Sequence, residues 1–181
     1  DGHRMTFELT ARGEQLGHVT LPLIGSHNVQ NALAALVVGR AAGLSAEEMI
    51  RGLRDFQGVR RRLELRGTAR GVSVYDDFAH HPTAIATTID GLKRKVGKAR
   101  ILAVLEPRSN TMKLGAMKEA LPGSLALADR VYCYSANLGW DVAGALAPLG
   151  DRLCVRDDLA ALVADIAAAA QPGDQVLVMS N

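Results

Sequence analysis

Beyond Gly58 the chain alternates short apolar runs with helical patterns, and that rhythm leaves few folds open to it. Strand-length runs fall at residues 63–68, 72–75, 101–105, 131–134, 153–155 and 175–179. Between them the spacing predicts helices from Pro82 to about Lys95, from about Lys113 to Ala128 with an interruption at Pro122-Gly123, over 142–149 and over 159–170. Strands this short and apolar need cover on both faces, which is the condition of a parallel sheet between helix layers. Right-handed crossovers then give an α/β fold with a doubly wound, mostly parallel sheet. Such sheets take their ligands beyond the carboxyl ends of the strands, here after Tyr75, Leu105, Tyr134 and Met179.

The first third of the chain has a different organisation. Residues 5–9 and 16–21 alternate as a short antiparallel pair with Arg12-Gly13 at the turn. An apolar helix over 32–42 is closed by Gly43. Ser45 and Glu48 form a capping box for a second helix running to about Arg54. Gln57-Gly58 reads as a hinge, so the domain boundary is expected between 57 and 58.

Composition excludes more than it suggests. A net charge of +2 is too small to argue for nucleic acid, and three Phe, three Tyr and one Trp make a poor base-stacking surface. Cys133 and Cys154 both sit in apolar runs, as buried thiols of a reducing cytoplasm do. No signal peptide or membrane-length apolar run is evident. The chain lacks an initiator Met and stops just past a strand, so it is expected to be a piece of something larger.

Four strings carry the chemistry. In Gly25-Ser26-His27-Asn28-Val29-Gln30-Asn31 the two asparagines lie three apart at a helix start, where unpaired backbone N–H groups also point outward. Amides beside a ring suit a purine and its sugar, whereas plain capping by Ser26 or Asn28 accounts poorly for His27 and Asn31 together. In Arg60-Arg61-Arg62-Leu63-Glu64 a solvated basic face is one reading. Arg62 clamping a phosphate, oriented by Glu64, is the other. Tyr75-Asp76-Asp77-Phe78-Ala79-His80-His81-Pro82 crowds acids and histidines between a strand and a helix. Its local reading makes His80 and His81 turn residues, His81 the cap before Pro82, and Asp76 and Asp77 local hydrogen-bond acceptors; its sharper one holds a carboxylate for ribose hydroxyls or for a cation shared with phosphates. Adjacent histidines cannot easily reach one ion, so no protein-ligated metal is expected. Glu106-Pro107-Arg108-Ser109-Asn110-Thr111-Met112-Lys113 mixes an anion, two cations and neutral donors, which suits a zwitterionic peptide, with Arg108 on a carboxylate and Glu106 on an ammonium. A weaker fifth string, Tyr134 to Asp141, holds Trp140.

One string misleads. Gly91 to Ala99 looks like a phosphate loop, but five residues separate its glycines and Ala99 stands where the magnesium-binding hydroxyl belongs. It also runs from helix to strand, the wrong order. No Gly-x-Gly-x-x-Gly follows any strand either, which disfavours a dinucleotide oxidoreductase.

Together the strings resemble the Mur ligase family, the ATP-dependent amide-forming enzymes of peptidoglycan assembly. The family's Gly-x-His-Asn-x-x-Asn element is similar to Gly25 through Asn31, its domain-opening arginine to Arg62, and its aspartate motif to Asp77-Phe78-Ala79-His80-His81-Pro82 in the muramate-binding branch. The resemblance spans about Ile24 to Asn181. It implies a Rossmann-like C-terminal domain over 58–181, preceded at 1–57 by the end of the central ATP-binding domain. It implies ATP, with Mg2+ held mainly by phosphates and by parts of the family not matched here. His27, Asn28, Asn31, Arg62 and Asp77 would meet the nucleotide. Glu106, Arg108, Ser109, Asn110 and Thr111 would receive a peptide, with His80 and His81 as catalytic candidates near the reacting centre. Domain closure about Gln57-Gly58 would keep water from an acyl phosphate.

Within the branch, Glu106 to Gly115 and Cys133 to Asp141 look like the members that rejoin the recycled tripeptide L-alanyl-γ-D-glutamyl-meso-diaminopimelate to UDP-N-acetylmuramate. Both partners are then small molecules, with no nucleic acid or membrane involved, in the bacterial cytoplasm. A member that adds free alanine, or a nucleotide-independent peptide-binding module, stays open as an alternative. The family's phosphate loop, carbamylated lysine and uridine-binding domain have no counterpart in the chain, so alone it is expected to be inactive.

Overall fold

The computed structural model describes residues 4–23, 25–56 and 58–181, without the side chains of Ser26 and His27. The chain divides into two compact units, Asp1–Val59 and Arg60–Asn181. Gln57 of the expected hinge lies outside the described residues.

In the smaller unit β1 (Met5–Ala11) and β2 (Glu14–Leu21) form an antiparallel hairpin. Arg12 and Gly13 turn with φ of 53° and 83°, the doubly left-handed turn whose twist suits a two-residue hairpin. α1 (Ser26–Ala41) starts six residues earlier than the apolar run predicts, because Gly25 at its N-cap lets the polar string itself wind into the first turns. α2 (Ala46–Asp55) opens on the predicted capping box: Ser45 accepts the Glu48 N–H, and Glu48 accepts the Ser45 N–H at 2.9 Å. Leu9, Val19 and Leu36 form a small core, packed by Ile50 and Leu53 of α2. Leu33, Val37 and Val38 of α1 stay exposed.

The larger unit is built on one six-stranded sheet. β3 (Glu64–Ala69) and β4 (Val72–Asp77) pair antiparallel. α3 (Pro82–Val96) then leads to β5 (Ile101–Leu105). The predicted helix over 113–128 is instead α4 (Asn110–Lys113), a 3₁₀ turn at Lys118–Ala120, and α5 (Leu121–Ser124). The break falls at Gly115 (φ 68°), and Pro122 begins a helix instead of ending one, since its missing N–H costs nothing in a first turn. β6 (Arg130–Tyr134), α6 (Val142–Leu146), β7 (Leu153–Arg156), α7 (Leu159–Ala169) and β8 (Gln175–Met179) complete it. The last helical turns expected at 147–149 run on as a 3₁₀ stretch, Ala147–Arg152.

The strand order is β3-β4-β8-β5-β6-β7, parallel throughout except at the β3 edge. Helices cover both faces, as expected of a doubly wound sheet, but unequally. Ile85, Ile89 and Leu92 of α3 join Leu121, Val142 and Leu146 over one face, all buried against Ile101, Leu105, Val131 and Leu177. Each such side chain contributes about 2 kcal/mol by leaving water. On the other face α7 alone seats Leu162 on Leu102, Val104, Tyr132 and Val176. Among the described residues no helix is long and apolar enough to cross a membrane.

Candidate functional site

In the larger unit the carboxyl ends of β4, β8 and β5 are tied together by polar groups. The Ser180 N–H donates to the Asp77 carbonyl at 3.2 Å, and the Glu106 N–H donates to the Met179 carbonyl at 3.0 Å. The Ser180 hydroxyl donates to the Glu106 carboxylate. Arg61 donates through Nη2 to the Ser180 carbonyl and pairs through Nε with Asp76 at 3.3 Å. A guanidinium from before β3 therefore braces the turn that fixes Glu106.

Arg62 sits between two residues held in a left-handed conformation, Arg61 (φ 57°) and Leu63 (φ 50°). Non-glycine residues there carry strain that neighbouring contacts must hold. Glu64 and the Phe78 N–H hold Arg61, and Asp77 holds Leu63. Only 3% exposed, Asp77 accepts the Leu63 N–H at 2.7 Å, the Ala79 N–H at 2.8 Å and the Thr88 hydroxyl at 3.3 Å. Its carboxylate is thus engaged within the fold, joining the start of β3 to α3. The guanidiniums of Arg61 and Arg62 lie 5.2 and 5.9 Å from the centre of the Phe78 ring, which carries Arg62 as an exposed cation.

Glu64 does not orient Arg62 as expected. It accepts the Arg61 N–H and Arg66 Nη1, each at 2.9 Å, and these contacts hold its carboxyl below the ordinary 4.5. Arg66 lies two residues along the same strand, where the register with β4 shifts.

The two histidines part company. His80 is half-buried, donates from Nδ1 to the Phe78 carbonyl at 2.8 Å and meets the Phe78 ring edge-on. That tautomer leaves Nε2 as the basic nitrogen. His81 is exposed and accepts the Thr83 N–H at 3.2 Å, capping α3 just before Pro82.

Beyond β5 and β6 the loops enclose a cleft of about 380 Å³. Glu106, Arg108 and Lys113 form one wall; Tyr134, Asn137 and Leu138 form the other, with Leu159 beside them. Ser109 is occupied as the cap of α4, accepting the Met112 N–H at 3.3 Å, and Asn110 and Thr111 are exposed on that helix, off the cleft lining. Sequence reasoning chose neither Lys113 nor Tyr134 nor Asn137 as a ligand residue. The rule that ligands collect after each parallel strand pointed to Tyr134 and its successors.

The smaller unit has its own hollow, about 330 Å³, lined by Leu21, Ala32, Leu53 and Phe56 with Asn28 and Asn31 on its wall. The spacing that put both amides on one side of the helix is realised there. The side chain of His27 lies outside the described residues. Among the described residues no three His, Cys, Asp or Glu gather as a metal site.

A mostly parallel α/β sheet with a charged cleft beyond its carboxyl ends defines a domain of the doubly wound class. The chain belongs to the Mur ligase family: the domain described as Mur ligase, glutamate ligase domain, matches residues 61–181. It is 46% identical over 177 residues to the UDP-N-acetylmuramate–L-alanyl-γ-D-glutamyl-meso-2,6-diaminoheptandioate ligase of Escherichia coli K12, covering 97% of this chain and 39% of that protein. A crystal structure of a murein peptide ligase from Psychrobacter arcticus matches with a TM-score of 0.72 and 34% identity, over 99% of this chain and 39% of that one. A crystallised domain of a UDP-N-acetylmuramate:L-alanyl-γ-D-glutamyl-diaminopimelate ligase from Haemophilus ducreyi is 47% identical, with a TM-score of 0.57, over 66% of this chain and 88% of that one. The chain spans 39% of the length of the curated relatives it matches first.

Proposed function

We propose that this chain works as part of a longer cytoplasmic ligase that uses ATP to join L-alanyl-γ-D-glutamyl-meso-diaminopimelate to UDP-N-acetylmuramate. The cleft beyond β5 and β6 carries this reading. One carboxylate, Glu106, faces the same space as two cations, Arg108 and Lys113, and the tripeptide offers several carboxylates and an ammonium. Charge-assisted hydrogen bonds to such groups are the strong ones, and the planar fork of Arg108 can take a carboxylate in two contacts.

The chemistry is activation of the muramyl carboxylate as an acyl phosphate, attack by the peptide's amine, and expulsion of phosphate. The contribution of this chain is positioning and charge neutralisation, the main source of rate in such transfers. Asn28 and Asn31 would receive the adenosine end of the nucleotide. Arg62, exposed over Phe78, offers a guanidinium suited to phosphate. Asp77 acts through the backbone it holds, presenting Arg62 and His80. The free Nε2 of His80 can accept a proton near the reacting amine; His81 anchors the helix that follows. Magnesium fits as an ion carried by the nucleotide's phosphates, because Asp77, the buried carboxylate of the motif, already accepts three hydrogen bonds.

The test is a substrate panel on the full-length ligase: tripeptide, tetrapeptide and free alanine, each with UDP-N-acetylmuramate and ATP, followed by phosphate release. Tripeptide is expected to support turnover and alanine not. Turnover with alanine but not tripeptide would move the enzyme to the alanine-adding branch. Tripeptide binding with no ATP hydrolysis under any combination would reduce the protein to a peptide-binding module.

A further inference from the structure

The cleft's two walls come from separate loops, and one side chain joins them. Trp140, from the loop after β6, donates from its indole nitrogen to the Met112 carbonyl at 2.9 Å. Met112 lies on α4, in the loop after β5, one residue before Lys113. The indole ring also lies close against the turn that ends α4. Gly115 stands there with φ 68°, and a methyl group on it would come within 2.9 Å of the ring's Cδ1 and Cγ. Only glycine gives the ring that space and accepts that backbone angle together. The rest of Trp140 packs on the main core of the unit, so the contact is anchored.

We propose that Trp140 is a positioning residue for the peptide site: by clasping Met112 and Gly115 it holds the four-residue helix α4 in place, and with it Lys113 and Arg108 on the cleft wall. The inference rests on the peptide site proposed above. The physical need is plain. A four-residue helix is far too short to hold its shape alone, so its geometry must come from tertiary contact. The far ends of Arg108 and Lys113 take their position from that geometry. Loosening the clasp leaves the charges present and misplaces them, which weakens the peptide and leaves the nucleotide alone.

The experiment compares wild-type full-length ligase with Trp140→Phe, Trp140→Ala and Gly115→Ala, by steady-state kinetics and by amide hydrogen exchange over residues 109–115. Trp140→Phe keeps much of the ring and loses the donor; its tripeptide KM should rise about threefold to tenfold, the worth of one hydrogen bond. Trp140→Ala and Gly115→Ala should raise it about tenfold or more. KM for ATP and for UDP-N-acetylmuramate should stay within about twofold, and exchange over 109–115 should quicken in all three variants. A merely structural tryptophan would lower stability and kcat and leave the substrates equally affected. If Trp140→Ala does not fold, Trp140→Phe and Gly115→Ala carry the test. A wild-type enzyme that ignores the tripeptide sinks the functional reading. A wild-type enzyme that uses it, with tripeptide KM and exchange unchanged in Trp140→Phe, sinks only this proposal.

Discussion

Arg108 hangs from the end of β5 with its charge exposed, one residue past the buried Pro107, and shares its cleft with Glu106 and Lys113. If it takes a peptide carboxylate, Arg108→Ala should raise the tripeptide KM about tenfold to a hundredfold, the range of a charge-assisted contact, and leave KM for ATP nearly untouched. Equal effects on both, measured by initial rates, would remove Arg108 from the peptide site. The thiols make a second case at this scale. Burial pushes the Cys133 thiol up from 9.0 to about 12, and burial followed by its hydrogen bond to Asp165 raises Cys154 less. A raised thiol value means that the folded state keeps a proton the unfolded chain gives up. The stability Cys133 contributes is therefore whole below pH 9 and drains away as pH climbs toward 12. Native protein at pH 8 should leave Cys133 unlabelled by a thiol reagent for as long as it stays folded. Rapid labelling of Cys133 in native protein would show the β6 core to be open.

Asp77 belongs to the scale of elements, because its carboxylate is a joint between three of them. The Leu63 N–H before β3, the Ala79 N–H after β4 and the Thr88 hydroxyl of α3 all converge on it. Asp77→Asn turns one acceptor into a donor facing a backbone N–H, and should cost about 1.5–3 kcal/mol in urea unfolding with an unchanged slope. A cost below about 0.5 kcal/mol would mean that the joint is not holding. The sequence pointed to Asp77 as a local hydrogen-bond acceptor, which it is toward the Ala79 N–H, but not as a joint between elements. Asp77 reads there as a ligand residue because its motif is local, whereas two of its three partners lie eleven and fourteen positions away. What was legible was what neighbours in sequence decide by themselves: the Arg12-Gly13 turn, the Ser45–Glu48 box, the His81-Pro82 helix start and the apolar strands. The break at Gly115 was missed for the reason that hid Trp140, since the ring that fills the glycine's space comes from another loop. The cleft was half visible, its β5 wall from the charge pattern of one string and its β6 wall only once the strands were adjacent.

For the molecule as a whole, the two units differ sharply in what they bury. Among the described residues the smaller one buries Leu9, Val19, Leu21, Ala32 and Leu36, while the larger one packs nineteen buried residues on one face of its sheet alone. A unit of about 60 residues with so small a core is marginal by itself. Heating this chain should therefore give two transitions, the smaller unit melting first. Trp140 is the chain's single tryptophan and lies in the larger unit, so its fluorescence follows that unit alone. Far-UV circular dichroism should begin to fall at a temperature where Trp140 emission has not moved. Coincident curves from the two probes would mean that the units unfold as one.

The order of the strands has a further consequence. β8 fills the gap between β4 and β5 and pairs with both along its whole length, although β6 and β7 precede it in the chain. On the ribosome, then, a nascent chain that has already produced β3 to β7 still carries a sheet slit down the middle, two raw edges waiting for β8. A chain stalled before Gln175 would keep that slit unclosed, and the chaperones and proteases that patrol exposed edges would be the first to find it.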